Sequence, residues 1–179
     1  MKLGTFWPER PERVRGFLDS FKVLNSFIYV CCWHVNFHES AAMWKEYASR
    51  GSGIAIQSTF AGLKEALTEA SQEVNAGLVK YLAYERDSIE GQGGFGPVMT
   101  KRMSFDFERE LRAVMMEPDA GQNGVAGVLA QVDLAALIDA VHMAPGTGEW
   151  ERDLLSELIV KYGYNWTPRQ SSIDAAPLY

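Results

Sequence analysis

Apolar residues recur at helical spacing from Pro11, at Val14, Phe17, Leu18, Phe21 and Leu24, and proline suits a first turn because its missing N–H has no partner there anyway. Asn25 and Ser26 stop that helix. From Phe27 to Val35 the residues are β-branched or aromatic with apolar groups on both faces, which predicts an interior strand ending near Trp33 and His34. Asn36 followed by Glu39 has the form of a capping box, and Met43, Trp44, Tyr47 and Ala48 make the inner stripe of the helix it opens. Gly51 is placed to end this helix, and Gly53 to Gln57 reads as the next strand. Ser58 or Thr59 then caps a helix with Phe60, Leu63 and Leu67 on its inner face, a joint where outward-pointing N–H groups could receive an anion.

The pattern continues with a strand over Leu78 to Tyr84, which runs into the glycine-rich loop from Glu90 to Pro97. Its letters match G-x-G-x-x-G, but no helix follows and Pro97 interrupts it, so a mobile loop is expected rather than a dinucleotide fingerprint. Lys101 to Phe107 reads as a short helix or turn, and Leu111 to Met116 as a strand. If extension starts by Glu108, the period of two puts Glu108, Glu110 and Arg112 on one face. A loop over 118–123, a strand over Val125 to Val132, a short helix capped by Asp133 and a brief strand at Val141 to Ala144 follow. Thr147 opens a helix bearing Trp150, Leu154, Leu158 and Tyr162, stopped by Gly163, and Pro168 makes the last stretch an edge strand. Strands alternating with helices, then several short strands, predict α/β or α+β architecture: a mixed sheet covered by helices. We divide the chain into an N-terminal extension and helix, 1–26, and a single α/β domain, 27–179.

Composition narrows the partners. The chain has 179 residues, 47% of them hydrophobic, enough for one domain with a core of its own. A formal net charge of -6 argues against a general nucleic-acid binder, which carries a basic stripe. Cys31 and Cys32 are adjacent in an apolar run, so they read as buried thiols of a reducing compartment rather than as a disulfide. No apolar stretch reaches the roughly 20 residues that span a bilayer, and the start lacks a secretory segment, so a cytoplasmic protein is expected.

Three ordered blocks carry a resemblance. They are Cys32-Trp33-His34-x-Asn36-x-x-Glu39-Ser40-Ala41-Ala42-Met43-Trp44-x-x-Tyr47, Gly53-Ile54-Ala55-Ile56-Gln57-Ser58-Thr59, and Lys101-Arg102-x-Ser104-Phe105-x-x-Glu108-x-Glu110-x-Arg112-Ala113-Val114. Together they resemble a widespread bacterial family of uncharacterised proteins, over about Phe27 to Tyr179. Members of that family carry a further N-terminal segment with Trp-Arg-Tyr-like and Asp-Pro-Phe-Glu-like motifs. Neither is present here, and the resemblance implies a shortened member.

Two carboxylates and a guanidinium on one strand face are open to two readings: an ion-pair ladder joined by Lys101, or a charged site in which Arg112 keeps one carboxylate ionised while the other acts as acid, base or electrostatic stabiliser. We expect Glu108, Glu110 and Arg112 to be the catalytic candidates, and His34, Gln57, Ser58, Thr59 and Lys101 to complete a polar cleft for a small anionic or nucleotide-like ligand. The order Ser-Thr, then Glu-x-Glu, is also similar to ADP-ribosyltransferases. That similarity implies NAD as cofactor, Ser58 and Thr59 bracing the nicotinamide, Glu110 stabilising an oxocarbenium-like centre and Glu108 orienting the acceptor. It departs from the pattern in having only His34 in place of a first-strand arginine and Phe60 as third residue of the serine-threonine motif. A non-catalytic homodimer, with Trp166 and Tyr179 as exposed aromatics, is the reading from another class. His34, His38 and Glu39 do not make a metal-ligand set, and a metal-dependent nuclease lacks spaced carboxylates.

Overall fold

A computed structural model of the chain describes residues 23–48, 52–70, 73–87 and 95–176. The first helix up to residue 22, the Gly51 stop, most of the glycine-rich loop and Tyr179 lie outside the described residues. The architecture combines helices with antiparallel and mixed sheets, as the alternation of periods predicts.

The first sheet has the order β1-β6-β3, built from β1 (Ile28–His34), β3 (Val74–Leu78) and β6 (Glu110–Met116), all antiparallel. β6 is the central strand, and Leu111, Ala113, Val114 and Met115 are all buried. The strand expected to be interior, β1, is an edge among the described residues, with Val30, Cys31 and Cys32 exposed. Apolar groups on both faces therefore marked two strands, and pairing on both sides selected β6.

The second sheet has the order β2-β7-β8: β2 (Ile54–Gln57) runs antiparallel to β7 (Ala140–Met143), and β8 (Arg169–Gln170) joins it in parallel at the edge, next to Pro168 as anticipated. A small parallel pair, β4 (Lys80–Leu82) with β5 (Thr100–Arg102), stands apart from both sheets. The strand predicted over Leu78 to Tyr84 is thus split: Leu78 closes β3, Val79 is buried and lies between, and β4 belongs to another sheet. Residues 125–132 form no strand, while Pro118–Gln122, expected to be a loop, is helical.

Residues 23–25 are helical, and five further α-helices are described. In α1 (Ala41–Tyr47) the N-cap is Ser40, whose hydroxyl accepts from the Met43 N–H at 3.3 Å; Asn36 accepts only from its neighbour Phe37, so the predicted capping box is displaced by four residues. α2 (Phe60–Ala66) is capped by Thr59, which accepts from the Gly62 N–H at 3.0 Å, and buries Leu63 and Ala66 while Phe60 faces solvent. α3 is Pro118–Gln122, and α4 (Leu134–Leu137) is capped by Asp133 as expected. A side chain at position 62 would meet the Ala136 carbonyl at 2.8 Å, so glycine there permits the close approach of α2 to α4. Leu63, Ala66, Leu111 and Leu137 form a buried core against which Trp33 and Leu67 pack, which ties both helices to the first sheet. α5 (Glu149–Lys161) begins at Gly148 rather than Thr147 and ends before Gly163, at φ +83. Its predicted inner ridge is turned outward: Trp150 is 69% and Tyr162 73% exposed, and Leu154 and Leu158 are exposed between them, while Ile159 is the buried contact.

Candidate functional site

Antiparallel pairing of β1 with β6 sets His34 opposite Glu110 and Cys32 opposite Arg112, and the period of two keeps all four on one face. Gly77 of β3 is the residue opposite Arg112 on the other side, and a side chain there would meet Met99 Cε at 3.0 Å. Its lack of a side chain lets the turn at Gly96–Met99 settle over the sheet, and Arg112 donates to the Val98 carbonyl of that turn.

Glu108 reaches the same place by another route. The chain over Met103–Glu108 is a 3-10 helix, overlapping the short helix or turn expected over Lys101 to Phe107, so Glu108 is not yet extended; Arg109 then takes the left-handed conformation, φ 42 and ψ 57, which turns the backbone into β6. This turn is clamped to the end of β1, since the Arg109 carbonyl accepts from the Val35 N–H at 2.9 Å. The Glu108 carbonyl lies 2.6 Å from His34 Nδ1. A carbonyl only accepts, so His34 Nδ1 carries a proton, and in that neutral tautomer Nε2 is the acceptor. That Nε2 atom is buried and has no hydrogen-bond partner among the described residues.

The carboxylates are almost wholly buried, Glu108 at 4% and Glu110 at 5% exposure. Lys101, from β5, contacts Glu108 directly and lies 2.8 Å from Glu110 Oε1, while Arg112 Nε donates to Glu110 Oε2 at 2.7 Å. Glu110 also has its backbone N–H donated to the Tyr81 hydroxyl at 2.8 Å. Two anions therefore face two cations, and the pair of carboxyls is driven apart. Burial pushes Glu108 up, helped by the neighbouring Glu110, and the contact with Lys101 does not reverse this. Burial also acts against the Glu110 anion, but hydrogen bonds from Arg112 and Lys101 outweigh it and hold Glu110 well below the usual carboxylate range. Lys101 is held above its ordinary value, because its bonds to the two carboxylates exceed the cost of burying the ammonium. Cys31 and Cys32 are exposed, not the buried thiols expected, yet partial desolvation of the Cys32 thiol beside Glu110 pushes it up and makes it a poor nucleophile.

These groups line a cleft of about 230 Å³ together with Trp33, Met43 and Tyr47. Of the residues expected at the site, His34, Lys101, Glu108, Glu110 and Arg112 meet there. Gln57, Ser58 and Thr59 are not part of the lining. They sit where β2 passes into α2, with Gln57 Oε1 2.8 Å from His142 Nε2, the Ser58 hydroxyl donating to the Thr59 carbonyl and Thr59 engaged as the cap. The anticipated common hollow is replaced by one between β1, α1, β5 and β6. Cys32, Trp33, Met43 and Tyr47 were not expected as lining residues, although Cys32 shares the two-residue period of His34. All nine lining residues fall in the first and third sequence blocks, and none in the second. Trp166, expected to be exposed, is half-buried and stacks on Tyr164 at 4.2 Å. Among the described residues no His, Cys, Asp or Glu group has the arrangement of a metal site, and no helix is long and apolar enough to cross a membrane. Comparison with protein-family models, curated proteins and solved structures gave no match.

Proposed function

We propose that the cleft binds a small nucleotide-like ligand, with sugar hydroxyls directed at its floor. The observation that carries this reading is the set of acceptors gathered there: two buried carboxylates and the unpartnered His34 Nε2. Lys101 and Arg112 are already matched by the carboxylates, so a bare anion finds little unspent positive charge. A ligand rich in O–H donors supplies what the cleft lacks, and Met43 and Tyr47 offer apolar surface for a planar base. Two of the three sequence blocks, those from Cys32 to Tyr47 and from Lys101 to Val114, furnish the whole lining.

Glycosyl transfer from NAD is the catalytic form of this reading. Glu110, held ionised, is suited to stabilise positive charge at a ribose anomeric carbon, and Glu108, pushed up, is the group suited to exchange a proton with an acceptor. The test is calorimetry and thermal shift with adenosine and NAD, together with nicotinamide release, on wild type, His34→Ala and Glu110→Gln. Binding that both variants lose supports the ligand reading, and release that Glu110→Gln abolishes supports transfer. If no probe shifts wild type and Glu110→Gln merely unfolds more easily, the charges form only a structural network.

A second reading, a homodimer through α5, is favoured by the exposed ridge Trp150, Leu154, Leu158 and Tyr162. Residues four apart form a ridge that packs against a second such ridge, and in a two-fold pair Lys161 of one copy approaches the acidic first half of the other, with Glu149 and Asp153. Light scattering after size exclusion decides it: a dimer that Leu154→Asp converts to monomer is expected, and a monomer of wild type at high concentration removes the reading.

A further inference from the structure

We infer that Glu39 is a latch that holds α1 against the cleft by tying it to the C-terminal segment at Ser171 and Ser172, and so controls access to the ligand site. The inference rests on the reading that the cleft takes a ligand. Two wall residues of the cleft, Met43 and Tyr47, belong to α1. This helix has seven residues, none of them fully buried and only Met43 and Trp44 half-buried, so neither its length nor a deep apolar face fixes it strongly.

Among the described residues its side-chain hydrogen bonds are concentrated at one end. Glu39, just before the cap residue Ser40, accepts from the Ser172 N–H at 2.9 Å through Oε1. Through Oε2 it accepts from Trp44 Nε1 at 3.2 Å and from the Ser171 hydroxyl. One carboxylate thus joins the first turn of α1 to a segment 132 residues away in sequence. The Ser171 anchor is firm: the residue is 3% exposed, and its oxygen also accepts from the Ile173 N–H at 3.2 Å. Hydrogen bonds to an ionised acceptor are about twice as strong as neutral ones, so this junction outweighs the other ties of α1. Glu39 touches no lining atom of the cleft floor; it is a positioning residue that acts through α1. With the latch closed, Tyr47 lines the cleft together with Glu108. With it open, the wall formed by Met43 and Tyr47 swings free and the floor is open to ligand.

The test is hydrogen exchange by mass spectrometry on the full chain, comparing wild type with Glu39→Ala and Ser171→Ala, with adenosine and NAD as probes. In both variants, peptides covering residues 41–47 are expected to exchange about tenfold faster, as loss of charge-assisted hydrogen bonds implies, while β6 is unchanged. Probe dissociation is expected to quicken in parallel. Unaltered exchange in residues 41–47, or an equal rise throughout β6, overturns the latch. Local exchange decides this without any ligand, so failure of both probes to bind wild type counts against the ligand reading alone.

Discussion

Glu108 and Glu110 share a lysine and nearly the same burial, yet their proton affinities move in opposite directions, and stability should follow pH accordingly. Glu110, held low, contributes stability that is complete above the ordinary carboxylate range and is lost as pH falls below it. Glu108, held high, has the reverse sign: its ionisation costs nothing at low pH and costs more as pH rises from the ordinary carboxylate range to its raised value. Urea titrations of wild type and Glu108→Gln between about pH 4 and 8 should therefore show wild type losing ground to the variant as pH rises. A difference that is flat in pH would mean that the Glu108 proton affinity is not raised. Glu110→Gln is a harsher change, because it leaves Arg112 and Lys101 with an uncompensated share of buried charge. A loss of about 3 kcal/mol in unfolding free energy is expected, and a loss under 1 kcal/mol would show that solvent screens the network.

At the scale of elements, the junction between the 3-10 helix and β6 decides whether Glu108 joins the site. Arg109 is the non-glycine residue with positive φ among those described, and an L side chain in that conformation costs roughly 1 kcal/mol. Arg109→Gly should raise the urea midpoint by a fraction of that amount and Arg109→Val should lower it, with the cleft residues unmoved. Nothing in the local letters announced this turn. The alternation of Glu108, Glu110 and Arg112 was legible because β6 is a strand with one charged end, but it extended the strand two residues too far. The Asx-like start at Asn36 was equally plausible locally, and Ser40 became the cap instead while Glu39 was drawn to Ser171, a partner that no window of sequence contains. The cap at Asp133, and the cap at Ser58 or Thr59 that falls to Thr59, are legible because their partners lie within three residues. The pairing of Gln57 with His142, which takes the serine-threonine joint into the second sheet, is likewise a long-range fact.

The molecule as a whole joins its two larger sheets through helices rather than through strand pairing. α2 leaves β2 of the second sheet and packs on the first, where Leu63 and Ala66 meet Leu111 and Trp33; α4 contributes Leu137 and leads into β7. This core is therefore shared by the sheet that carries the charges and by the two helices that lead out of and into the second sheet. Leu63→Ala, 6% exposed in the native chain, should cost about 2 to 5 kcal/mol, as deletion of a buried leucine side chain does when its surroundings relax only in part. Because Leu111 follows Glu110 directly in β6, the same cavity lies behind the charged face, and loosening it should weaken ligand binding without touching a charge. The measurement is chemical unfolding followed by both far-ultraviolet and near-ultraviolet circular dichroism. Coincident transitions, shifted together by Leu63→Ala, are expected of a shared core. Two separated transitions, only one of them moved by the substitution, would show that the sheets are held independently and that the helices between them carry no coupling.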